Sequence, residues 1–96
     1  MEAISSLSRP YLFIRVEGAS GAEDVEVAFT APGMEPAEED WHPATWVNAG
    51  ASGADARILI GPGGEVELAK GSHMAWVRVT GAVERPVLAS GLVPVT

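Results

Sequence analysis

The chain has 96 residues, no cysteine and a formal net charge of −7, which bounds it to one domain without disulfide, thiolate or Cys-ligated metal chemistry. Its six basic residues are scattered, whereas a nucleic-acid partner needs clustered Lys and Arg, and no apolar run approaches the ~20 residues of a membrane span. Hydrophobic content of 47% with eleven Gly and seven Pro points to a folded chain of many turns, able to bury roughly 60–68% of its unfolded surface in a two-layer core.

Residues 1–9 are polar and aperiodic, with three serines. They read as a flexible N-terminal arm and lack the charged and apolar regions of a secretory signal. The domain proper is expected over 10–96. Pro10 introduces Tyr11-Leu12-Phe13-Ile14-Arg15-Val16-Glu17, whose branched and aromatic content predicts a strand. Leu12, Ile14 and Val16 share its core face; Tyr11, Phe13 and Arg15 share the outer one. After a turn at 18–21, residues 24–30 alternate with Val25, Val27 and Phe29 inward. The chain breaks at Pro32-Gly33 and enters an acidic stretch through Glu35, Glu38, Glu39 and Asp40, which reads as a solvated loop.

Residues 41–47 form a further expected strand whose two tryptophans, Trp41 and Trp46, point to opposite faces, with Pro43 marking an edge or an irregularity. Residues 48–55 are rich in Gly, Ala and Ser and read as a loop. A short strand follows at Ala56-Arg57-Ile58-Leu59-Ile60, ended by the turn signal Gly61-Pro62-Gly63-Gly64. Val66 and Leu68 then point inward from 65–68. The strongest alternation runs through Ser72-His73-Met74-Ala75-Trp76-Val77-Arg78-Val79-Thr80. It sets His73, Ala75, Val77 and Val79 on one face and Met74, Trp76, Arg78 and Thr80 on the other. We read it as the central strand. A polar turn over 81–86 leads to one or two short strands over 87–96, where Pro94 suits a sheet edge. About seven short strands with regular turn signals predict an all-β fold, an Ig-like or fibronectin-type β-sandwich.

No catalytic set is legible. His42 and His73 are the only histidines; His73 falls on the core face of its strand and reads as structural, and neither has a spaced nucleophile or acid. Two histidines without ligand spacing make a poor zinc site, and the carboxylates of 35–40 lack the pattern of a calcium loop. The glycines of 61–64 lack the Lys-Ser/Thr that a phosphate loop requires. The chain is therefore expected to be no enzyme and to need no cofactor or metal. What remains is a set of outer-face aromatic and amphipathic side chains. Trp76, Met74, Arg78, Tyr11 and Phe13 are the candidate partner-binding residues, because large anchors of this kind dominate interface energies.

The stretch Leu68-Ala69-Lys70-Gly71-Ser72-His73-Met74-Ala75-Trp76-Val77-Arg78-Val79-Thr80 resembles a Leu-x-x-Gly-Thr-Tyr-x-Val-Trp-Val-Arg-Val-Thr pattern. That pattern belongs to small Ig-like structural proteins of tailed phages of actinobacteria. The likeness extends to Asp40-Trp41-His42-Pro43-Ala44-Thr45-Trp46, to the 56–64 stretch and to 85–96, and His73 stands where the pattern has Tyr. The resemblance implies an accessory virion protein, a capsid decoration (cement) protein that binds the major capsid protein lattice. It implies synthesis in the host cytoplasm, a place on the capsid surface, and a homo-oligomer such as a trimer. A carbohydrate- or surface-adhesion module, or a phage tail or connector component, is the alternative.

Overall fold

Branched and aromatic side chains at every second position hold Tyr11–Glu17 extended as β1, with Leu12, Ile14 and Val16 buried and the alternate residues exposed. The computed structural model describes residues 11–61, 64–80 and 87–95; the expected arm over 1–9 and the expected turn over 81–86 lie outside them. After β1 come β2 (Asp24–Thr30), a 3-10 turn (Glu38–Asp40), β3 (Trp41–Pro43), β4 (Thr45–Gly50), β5 (Gly53–Leu59), β6 (Gly71–Thr80) and β7 (Val87–Val95). They make two antiparallel sheets, one ordered β1-β5-β4 and the other β3-β2-β6-β7. The architecture is a two-sheet β-sandwich, as the alternation predicts.

The core lies between the sheets. Leu12, Ile14, Val16, Ala54, Ala56 and Ile58 come from the three-stranded sheet. Val25, Val27, Ala75, Val77, Val79, Val93 and Val95 come from the other. Each buried branched side chain contributes about 1.5–3 kcal/mol of transfer free energy. Ile60 and Leu68 join this core, while Phe29 and Val66, expected within it, sit half-buried at its margin. β6 lies between β2 and β7, which makes the strand of strongest alternation an interior one. The alternating stretch over 65–68 forms a single parallel bridge, between Val66 and Ile60.

Two expectations need correction. The strand expected over 41–47 is two strands in different sheets. β3 pairs with β2 and β4 pairs with β5; the chain crosses at Ala44, whose N–H donates to Val25 O at 3.0 Å. Pro43 cannot donate to a ladder, so the pairing stops there. The loop expected over 48–55 is instead a hairpin, in which β4 and β5 pair around a turn at Ala51-Ser52. Gly53 (φ +150°) is required in it: a Cβ there would stand 2.3 Å from Val16 O on β1. The C-terminal stretch is one strand, β7, whose register shifts opposite Ala75 and Trp76, leaving Ser90 unpaired.

Candidate functional site

Cross-strand register fixes what each outer face carries. On the three-stranded sheet, Phe13 stands opposite Arg57 and Arg57 opposite Thr45. Tyr11 and Phe13 are 51% and 52% exposed, with ring centroids 6.4 Å apart and tilted at 56°. The Arg57 guanidinium lies 4.5 Å from the Tyr11 ring centroid, a cation–π contact. Behind this pair, Arg15 donates to Ser52 Oγ at 2.7 Å and pairs with Asp55 at 3.4 Å, while Asn48 Nδ2 donates to the same carboxylate at 3.1 Å. A depression of about 330 Å³ opens beside Tyr11, bounded by Arg57, Thr45, Pro43 and Glu65.

The outer face of the four-stranded sheet is different in kind. Trp41, Ala28 and Trp76 form one cross-strand row, and Pro43, Glu26, Arg78 and Val87 the next. Ala28 is wholly buried between the two indoles. Segment 31–40 folds back over these rows. Trp76 Nε1 donates to Thr30 Oγ1 at 3.0 Å, and that hydroxyl donates to Met34 O at 2.8 Å. Asp40 Oδ2 accepts from Ala37 N–H at 2.8 Å, which closes the 3-10 turn.

Arg78 lies beneath this cover at 5% exposure. Its Nη2 and Nε both donate to Glu26 Oε1, at 2.7 and 3.0 Å, and its Nη1 lies 3.1 Å from Glu38 Oε2. The guanidinium carbon stands 4.5 Å over the Trp41 ring. Burial alone would lower the Arg78 pKa, but the hydrogen bonds and charges of Glu26 and Glu38 outweigh it and hold the group above its ordinary value. Arg78 is thus a buried clasp between sheet and cover. Between Trp41, Trp76, Glu35 and Glu38 a cleft of about 440 Å³ remains open to solvent.

The five candidate partner-binding residues therefore divide. Tyr11 and Phe13 share one outer face with Arg57; Met74, Trp76 and Arg78 lie on the opposite one. Met74 and Trp76 are half-buried and Arg78 is buried. Sequence reasoning missed Arg57 and the Glu26 partner of Arg78. The second was legible, since Glu26 and Arg78 occupy outer-face positions of neighbouring alternating strands. Glu38 was not, because nothing periodic in 31–40 shows that it folds back. His73, on the core-facing side, donates from Nε2 to Ala69 O at 2.7 Å. Among the described residues, no three His, Asp or Glu side chains converge as a metal site. Comparison with protein-family models, with curated proteins and with solved structures finds no match.

Proposed function

We propose that this chain is a binding protein of Ig-like build that serves as an accessory virion protein, decorating a phage capsid by contact with the major capsid protein lattice. The strand order β1-β5-β4 against β3-β2-β6-β7 supports the Ig-like reading, and the motif resemblance supports the virion one. The observation that carries binding is the pair Tyr11 and Phe13, each half-exposed on a rigid strand and framed by Arg57. Rigid aromatic rings beside an arginine lose little conformational entropy on docking and are enriched among interface hot spots. A lattice of repeated sites makes even a modest contact effective, since linked copies gain avidity.

The test is the copy number of the protein in purified particles. Decoration predicts hundreds of copies per particle, in keeping with one per repeated lattice site. A handful of copies confined to the tail moves the assignment to a tail or connector component, and absence from the virion ends the reading.

The adhesion alternative has one observation of its own. The cleft beside Trp41 and Trp76 offers aromatic surface next to the carboxylates of Glu35 and Glu38, a combination that suits a sugar ring. Glycan binding that is lost in Trp41→Ala, with no binding to assembled shells, would favour it.

A further inference from the structure

We infer that segment 31–40 is a hinged flap, latched over the outer face of the four-stranded sheet by Glu38 on Arg78, and that its release bares Trp76 and Arg78 on that side while the sandwich stays folded. The segment connects a hairpin: Thr30 ends β2, Trp41 begins β3, and Trp41 pairs with Ala28. Both ends therefore sit on neighbouring paired strands, and the connection can swing without breaking a rung of the sheet. It does not run on past the strand ends. Glu38 reaches Arg78, which stands opposite Glu26, well back along β2 from Thr30. The bend that sends it back is the turn Ala31-Pro32-Gly33-Met34, closed by Met34 N–H on Ala31 O at 3.1 Å and with Gly33 at φ +86°.

Little holds the segment in this position. Within it only Pro36 and Asp40 are half-buried, and the other residues are exposed. Its backbone bonds, Met34 N–H to Ala31 O and Asp40 N–H to Ala37 O, are internal. Among the described residues, two polar links tie it to the sheet: the Thr30 hydroxyl on Met34 O at 2.8 Å, and Arg78 Nη1 with Glu38 Oε2 at 3.1 Å. A segment with so few buried contacts opens at a lower free energy than the strands beneath it. The Glu38 side chain is 75% exposed, so its link is a rim ion pair of small strength. Glu26 is the firmer partner. It takes two bonds from Arg78, at 2.7 and 3.0 Å, and belongs to β2, so the guanidinium keeps its place when Glu38 leaves.

Release thus changes what the face presents. With the flap closed, Arg78 is 5% exposed and Trp76 half-buried. With it open, an indole and a guanidinium already fixed by Glu26 stand side by side on an interior strand, and Trp and Arg are the residue types that most often anchor protein interfaces. The flap is a built-in block on that pair. The inference stands apart from the capsid reading, since release is measured on the free protein.

The Trp76 indole N–H, bonded to Thr30 Oγ1 under the flap, reports release, and the Val77 amide in the middle of β6 reports unfolding of the sheet. Native-state hydrogen exchange of the full chain in sub-denaturing urea should show the Trp76 indole exchanging at a rate that hardly changes with urea, while the Val77 amide follows urea steeply. Glu38→Ala should speed Trp76 exchange roughly two- to fivefold, the change that loss of an exposed ion pair converts to. Glu39→Ala removes the adjacent carboxylate, which enters no ion pair among the described residues, and should leave the rate unchanged. Trp76 exchange that rises with urea in step with Val77 overturns the inference, because the cover then leaves only when the molecule unfolds. No response to Glu38→Ala, or an equal response to Glu39→Ala, also overturns it, by showing that Glu38 on Arg78 is not the latch.

Discussion

Arg78 shows how one residue can have the right face and the wrong environment. Alternation places it on the outer side of β6, and there it is, but Glu26, Glu38 and Trp41 enclose it. Removing the guanidinium leaves Glu26, whose side chain is 32% exposed, without its partner, so Arg78→Ala is expected to cost about 1–3 kcal/mol in chemical denaturation. Glu38→Gln should cost at most about 1 kcal/mol, because that side chain is 75% exposed and its pairing is screened by solvent. Equal losses in the two variants would mean that the cover, and not the Glu26 pair, holds the cation.

Glu23 supplies a pH-dependent residue. Its own backbone N–H, the Ser20 hydroxyl and the N–H groups of Ser20 and Gly21 hold its pKa below the ordinary 4.5, against desolvation. A depressed folded-state pKa contributes stability above the unfolded value, and that contribution is lost as pH falls through the folded one. Stability is therefore expected to drop on acidification below about pH 4.5, and Glu23→Gln should flatten that drop while changing little near its foot. The measurement is the denaturation midpoint as a function of pH for both proteins.

At the scale of elements, β1 was legible because one of its faces is dry and the other is exposed, and β2 and β6 because apolar and polar residues alternate in them even though much of their outer face is covered. Val77→Ala, in the middle of β6, is expected to cost about 1–3 kcal/mol by removing buried methyl groups, read as a lower denaturation midpoint at unchanged slope. The crossing at Ala44 was not legible. A strand that changes sheets keeps its alternation, and only the missing donor of Pro43 marks the break. The β4–β5 hairpin was hidden for a different reason: Ala49, Gly50, Ala51 and Ser52 look like a loop, and the close approach to β1 depends on the missing Cβ of Gly53, which would stand 2.3 Å from Val16 O. Burial on the outer face of the four-stranded sheet was hidden as well, since it comes from 31–40 folding over Ala28, Trp76 and Arg78 rather than from any pattern within the strands.

For the whole molecule, the two outer faces are unlike. One is covered and clasped by Arg78, and its tryptophans stabilise the fold while leaving a cleft. The other presents Tyr11 and Phe13 to solvent, and it is the face proposed to bind. The most direct measurement is the affinity of the purified protein for assembled capsids that lack it, compared with that of the Tyr11→Ala, Phe13→Ala double variant. Saturable binding on the shell is expected, weakened about tenfold or more in the variant, while the denaturation midpoint stays close to that of the parent. Unchanged shell binding in a folded double variant, or no shell binding by the parent, would contradict it.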